Sequence, residues 1–414
     1  MCAGVFPGLN ESETSAEDRA SASTFSERPK RVLAYFAPDF TEVSTITRAR
    51  SFREHGFDVV VFAFRRARYN QNFNAPWREV EFGHTTDGRY LDRVIKLIGA
   101  LPVLWRHRSL LRRTKVLYAR NIDQLLLAVL TRLFTGSSRV VVYEVLDVSG
   151  VFTRGGWMSA AMRWAERQLL RRINLLVVSS SGFHENYFDA IQRYEGPVHV
   201  IENRLHREDA AVLTRQNESA ALPRLPRDRY KWVVGYFGLI RGRATFDLMA
   251  RVAQRCPEVL FYLRGVLTTI DSDYFRTFLL SNPNIIYRGD YVNPGDLRQL
   301  YGAIDFGWAI DLEREDTNSR WLLPCRFFES SLLGVPSLSV HDFELGRRIE
   351  SLGVGWAVRA CYEDSLVHLF KELTSAEYDR VVARLRTIPA TNFIAGEDVA
   401  RLCSAMTPPR EAAQ

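Results

Sequence analysis

Residues 232–255 read WVVGYFGLIRGRATFDLMARVAQR. A run of mostly apolar residues (232–238, WVVGYFG) is followed by a Gly/Arg stretch (238–243, GLIRGR). The segment TFDLMARVAQ then spaces its apolar residues as a helix does. An apolar run of strand length without clean alternation is expected of a parallel strand covered on both faces. Gly238 and Gly242 permit close backbone approach, and Arg241 and Arg243 bring positive charge to a helix start. That combination suits a diphosphate. The same residues also describe an ordinary strand-to-helix turn with solvated arginines.

Outward from this unit the pattern repeats. Strands are expected at 31–37, 58–64, 115–120, 139–147, 175–180 and 198–203 in the first half. In the second half they are expected at 232–238, 259–265, 284–290, 305–310, 336–340 and 353–358. Helical patterns at 45–55, 122–134, 157–172, 245–255 and 294–302 lie between them. Alternation of this kind predicts doubly wound α/β sheets. The polar, proline-bearing stretch 205–231 divides the chain into two Rossmann-like domains, 29–205 and 231–392, joined by a linker over 206–230 with one short helix. Residues 1–28 are polar, Ser-rich and acidic, without the basic and apolar regions of a signal peptide. They are expected to form a disordered tail. Residues 407–414 are read as a second tail.

A chain of 414 residues fits two domains. Its five cysteines include no CxxC pair, which predicts neither disulfides nor a structural zinc and suits a reducing, cytoplasmic setting. Residues 29–205 hold 27 Lys/Arg against 16 Asp/Glu, a net charge of +11, although the whole chain carries only +7. Positive charge is therefore a property of the first domain and points to an anionic partner there. A GxGxxG fingerprint is absent after the strands at 31–37 and 232–238, which argues against a dehydrogenase.

Ligands of open α/β sheets bind at the carboxyl ends of the strands. Besides 238–243, two stretches of the second domain fall there. In RGDYVNPGDL (288–297), Asn293 and Pro294 are expected to cap and open a helix, and Tyr291 could meet a nucleobase. In NSRWLLPCRFFESSLLGVPSLSV (318–340), Pro324 suits a helix start, and Arg326 and Glu329 share one face of that helix. Gly334 and Pro336 end it. An isolated Arg/Glu pair is more often a surface ion pair. Three such features around one crevice favour a site for a phosphate and a sugar diol.

Taken in order, GYFG-x-I-R-G, G-D-Y-V and NSRWLLP-x-RFFE-x4-GVP are similar to the donor domain of GT-B glycosyltransferases. The chain most resembles bacterial exopolysaccharide enzymes of the family 4 and succinoglycan type. The resemblance implies two Rossmann-like domains facing across a cleft, with a C-terminal helix (393–406) crossing back to the first domain. It implies that Glu329 binds the donor ribose and Tyr291 the base. Gly238, Arg241 and Arg326 would hold the diphosphate, and Asn318 and Ser319 would lie in the sugar/phosphate loop. One departure stands out. Retaining family 4 enzymes carry a second glutamate eight residues before the ribose-binding one, and here that position is Trp321. The expectation is therefore an inverting, metal-independent transfer from a nucleoside diphosphate sugar, with UDP as carrier and no cofactor.

An inverting transfer needs a base on the acceptor side. In YEVLDVSG (143–150) an apolar strand ends at Asp147, and some inverting polysaccharide enzymes of this fold look similar there. Asp39, at the end of the first strand, is the rival, and His184 a third candidate. Each could equally be a turn or helix-start residue. Residues 93–115 (RVIKLIGALPVLWRHRSLLRRTK) contain seven Lys/Arg, no acid and a tryptophan. This segment reads as membrane-surface binding or as a core helix with a solvated arginine face, and Pro102 is expected to kink or split it. No nucleic-acid module is present. The expected partners are a nucleotide-sugar donor, a lipid-linked glycan acceptor and the inner face of the cell membrane, with no nucleic acid. Two other classes are open: a nucleotide-sugar 2-epimerase, and a non-catalytic sugar-nucleotide-binding scaffold.

Overall fold

The computed structural model describes residues 31–66, 73–84, 90–136, 139–214 and 225–407. The expected tails lie outside these residues, apart from Thr407, as does the middle of the linker. The first domain forms a sheet from β1 (Arg31–Ala37), β2 (Phe57–Arg65), β3 (Arg78–His84), β4 (Val116–Arg120), β5 (Val140–Val145), β6 (Leu175–Val178) and β7 (Val198–Val200). All pairs are parallel, in the order β3-β2-β1-β4-β5-β6-β7. The helices that matter here are α1 (Val43–Glu54), α2 (Tyr90–Arg106), α3 (Asn121–Thr135), α4 (Gly150–Thr153) and α5 (Trp157–Leu170).

The second sheet contains β8 (Trp232–Ile240), β9 (Val259–Leu267), β10 (Ile285–Tyr287), β11 (Phe306–Trp308), β12 (Ser337–Val340) and β13 (Gly355–Val358). Its order is β10-β9-β8-β11-β12-β13, again parallel. It is served by α6 (Arg243–Arg255), α7 (Asn318–Trp321), α8 (Cys325–Leu332) and α9 (Glu344–Leu352), and the chain closes with α10 (Glu397–Ala405). Successive residues of β8 alternate between two cores: Trp232, Val234 and Tyr236 enter one, Val233 and Phe237 the other. β1 behaves alike, with Leu33 and Tyr35 on one face and Ala34 and Phe36 on the other. Burial on both faces is why these strands read as continuous apolar runs. Each sheet reverses its strand order between its first and fourth strands, β1/β4 and β8/β11. Both mouths are therefore switch-point crevices of the kind that hold ligands.

The domains are joined twice at one place. Leu205 and Ile394 form a parallel bridge, with Leu205 N–H donating to Phe393 O at 3.0 Å and Ala395 N–H donating to Leu205 O at 2.8 Å. Beyond it, α10 packs Val399, Leu402 and Cys403 into the first domain's core.

Three expectations need correction. β3 did not appear in the sequence reading because REVEFGH is an edge strand. Only Val80 and Phe82 are buried, and Arg65 holds Glu79 and Glu81 at 3.1 and 3.2 Å. Pro102 does not split the basic segment. It lies on the solvent side of α2, where water can take the carbonyl it frees, and the break comes at His107. The helix expected from Pro294 starts at Leu297. Asp296 accepts from Val292 N–H at 2.9 Å and closes a local turn first.

Candidate active site

At the mouth of the second sheet, α8 opens after Pro324 and places Arg326 and Glu329 one turn apart on the side facing the β8 loop. Glu329 is buried and accepts from the Tyr301 hydroxyl at 3.0 Å. Burial pushes its carboxyl up, against the hydrogen bonds of Tyr301 and Asn293 and the charge of Arg326. Tyr291 stands half-buried beside it. The Arg326 guanidinium lies 4.6 Å over the Tyr236 ring and donates through Nη2 to Leu239 O at 3.4 Å. Its buried Nη1 has no acceptor among the described residues. Gly238 has a φ of 104°, and a side chain there would meet little but the Tyr291 hydroxyl at 3.9 Å. The backbone at Gly238 is thus open to close approach.

Arg241 reaches the same place but is already engaged. It donates to Asp311 Oδ2 from Nη2 at 2.9 Å and from Nε at 3.1 Å, and lies 3.1 Å from Glu313. Burial of Asp311 opposes its ionisation, yet Arg241 and Arg326 hold its carboxyl below the usual range. Asp311 and Glu313 follow β11 and were not singled out in the sequence. Their position after an apolar strand was the available signal.

At the first mouth, Asp147 follows β5 and is exposed. Asp39 is 1% exposed and fully occupied: it accepts from Thr41 N–H at 3.0 Å, from the Thr41 hydroxyl at 3.0 Å and from Arg66 N–H at 3.2 Å. That is the pattern of a turn-forming aspartate. His184 opens a short π-helical stretch, His184–Asp189, that follows β6 and the turn at Ser181–Phe183. Glu42, at the start of α1, is the group that sequence reasoning missed. It lies 3.5 Å from Arg66, and burial pushes its carboxyl up, opposed by Arg120 and Arg66 and reinforced by Asp39 and Asp147. Beneath it Glu144, 0% exposed, sits between Arg48 (2.7 Å) and Arg120 (2.8 Å). Arg120 in turn donates to the Ser44 hydroxyl at 2.7 Å, fixing the first turn of α1.

Asn318 and Ser319 are buried in α7. Ser319 accepts from Arg314 N–H at 3.3 Å within the loop that follows β11. Asn318 instead crosses to the first domain, accepting from Val148 N–H at 3.0 Å. Trp321 also crosses: it belongs to the first domain's core, with its ring 6.2 Å from Phe183, and its carbonyl accepts from the Ser180 hydroxyl. Ser181 to Glu344 at 3.0 Å and Arg348 to Glu202 at 2.6 Å extend this seam. The two mouths therefore face one another across a cleft. Among the described residues no cluster of His, Cys, Asp and Glu could hold a metal ion.

Two parallel-sheet domains, a return helix and opposed switch-point mouths define the GT-B fold. Solved structures bear this out. Sucrose-phosphate synthase (tll1590) from Thermosynechococcus elongatus superposes with a TM-score of 0.67 at 13% identity, over 90% of this chain and 98% of that one. Anabaena Alr3699/HepE in complex with UDP and glucose gives 0.64 at 14% identity, over 91% and 99%. In sequence the chain is similar to the succinoglycan biosynthesis protein ExoL of Rhizobium meliloti (strain 1021), 28% identical over 354 residues, which is 85% of this chain and 87% of that protein. No family model matches.

Proposed function

We propose that this chain is a glycosyltransferase of bacterial exopolysaccharide assembly, moving a sugar from a UDP-sugar to a lipid-linked oligosaccharide. The observation that carries the reading is the pairing of Arg326 and Glu329 on α8 beside the open backbone at Gly238. A helix start and a guanidinium suit a diphosphate, and a buried carboxylate suits a ribose diol. The likeness to ExoL supports the setting, and the HepE complex supports UDP as carrier.

In the proposed reaction Asp147 takes the proton from the acceptor hydroxyl as its oxygen bonds the anomeric carbon. The bond from that carbon to the β-phosphate oxygen breaks, and UDP leaves with the electron pair. Arg326 and the first N–H groups of α8 meet the developing charge. Arg241 contributes once the diphosphate competes with Asp311 and Glu313 for it. Trp321 stands where retaining family 4 enzymes carry their second glutamate, and that departure favours an inverting transfer. The two guanidiniums and the helix start take the role a metal has elsewhere, and no cofactor is required.

For the acceptor's lipid, the proposed contact is the membrane surface. The segment 93–115 exposes Ile95, Ile98 and Trp105. On α5, Trp157 is 82% and Trp164 63% exposed, with Ala160 and Ala161 exposed between them. That solvent-side stripe is apolar, while the inner face holds Ser159 and Glu166. Tryptophan flanked by arginine is the composition of an interfacial helix. Among the described residues no helix is long and apolar enough to cross a membrane. The test is transfer of labelled sugar from a panel of UDP-sugars into a total lipid extract of exopolysaccharide-producing cells. Label in the lipid fraction that is lost in Asp147→Asn is expected. Release of free UDP and an epimerised sugar without acceptor would instead support the 2-epimerase.

A further inference from the structure

The donor loop does not end at the donor. Arg241 is held by Asp311, and Asp311 Oδ1 accepts from Glu313 N–H at 3.0 Å. The loop then turns into α7, whose first residue, Asn318, is 2% exposed. Its Oδ1 accepts from Val148 N–H at 3.0 Å, across the domain seam and 170 residues away in sequence. Val148 is the neighbour of Asp147. One short loop, tied by hydrogen bonds at both ends, thus joins the diphosphate cradle to the turn that carries the proposed base. The contact is tightly seated, because a side chain at Gly182 would meet the Trp321 carbonyl at 2.8 Å.

We infer that Asn318 is a positioning residue: by accepting from Val148 N–H across the domain seam it holds the turn that aims Asp147 at the acceptor hydroxyl. This rests on the glycosyltransferase reading but assigns to a donor-loop residue a role in the acceptor half of the site. A peptide N–H that is buried without an acceptor is costly, so the turn is held where Asn318 stands. Without the Asn318 oxygen the Val148 N–H loses its acceptor, the turn is released and Asp147 moves with it. A displacement of about 1 Å at a reacting group can lower turnover roughly 100-fold.

The experiment compares wild type, Asn318→Ala, Asn318→Asp and Gly182→Ala in the full chain. The Ala variant should lower kcat about 10–100-fold and leave UDP affinity within about threefold. Hydrogen exchange across residues 145–150 should quicken in the same variant. Asn318→Asp keeps an acceptor oxygen and should restore both the exchange protection and most of kcat. Gly182→Ala, which wedges the seam with Asn318 intact, should reproduce the kcat loss. Unchanged exchange at 145–150, or a loss of UDP affinity that accounts for the whole kinetic defect, would overturn the inference. Absence of sugar transfer by the wild type would count against the enzymatic reading, while the exchange result still decides the contact.

Discussion

The mouths of the two sheets are built from the same residue types in opposite layers. In the first, Glu42 and Asp147 reach the surface, and Arg48 and Arg120 lie buried around Glu144. In the second, Arg241 and Arg326 reach the crevice, and Asp311 and Glu329 lie beneath them. A carboxylate at the surface over a positive foundation is suited to taking a proton from a hydroxyl. A guanidinium at the surface over a carboxylate foundation is suited to an anion, and the lower carboxylate fixes its direction. Charge totals hide this, because residues 106–115, which precede β4, alone hold five Lys/Arg and no Asp/Glu.

Exchanging the upper carboxylate should have the largest effect. Asp147→Asn is expected to lower kcat by about 10²–10⁴-fold with donor affinity kept, as read by steady-state kinetics beside nucleotide titration. Full activity would move the base to Glu42 and make the contrast between the layers a different one.

The next largest effect is on stability. Glu144→Ala leaves two buried guanidiniums without their carboxylate and should cost about 3–5 kcal/mol, seen as a lower midpoint of denaturant unfolding. A shift no larger than that of a surface substitution would mean that the foundation of the first mouth is dispensable.

The second mouth should respond in the other direction. Burial raises the Glu329 carboxyl, so its charged form is penalised in the folded state, and that penalty is present above the folded-state pKa and fades as pH falls through it. Glu329→Gln is therefore expected to raise the melting temperature at pH 7.5, with the gain shrinking at acid pH, while nucleotide binding weakens. A lower melting temperature at pH 7.5 would show that the carboxylate is retained for the fold instead. The smallest effect belongs to the outer face: Trp157→Ser with Trp164→Ser should reduce co-sedimentation with anionic phosphatidylglycerol vesicles several-fold, without changing unfolding.

How much of this was legible follows from the range of the interactions. β1, β2, β5 and β8 are apolar runs buried on both faces, and a short window suffices to see them. The Arg326/Glu329 pair was visible because both residues lie on one helix turn. β3 escaped because half its side chains are charged and solvated at a sheet edge. Asp39 and Asp147 looked alike in sequence, each at a strand end. Only the fold shows Asp39 consumed by Thr41 and Arg66 N–H groups, and Asp147 exposed. The seam through Asn318 and Trp321 joins residues more than a hundred apart. No local pattern encodes such a contact. Trp321 drew notice only for the glutamate it replaces, whereas its ring is a core residue of the opposite domain.

The central claim, that a nucleoside diphosphate binds at the start of α8, is tested most directly by calorimetric titration of the full chain with UDP, GDP and TDP beside Glu329→Ala. Saturable binding of UDP that falls at least tenfold in the variant is the expected result. A folded wild-type protein that binds none of the three, or binds UDP equally well without Glu329, would contradict it.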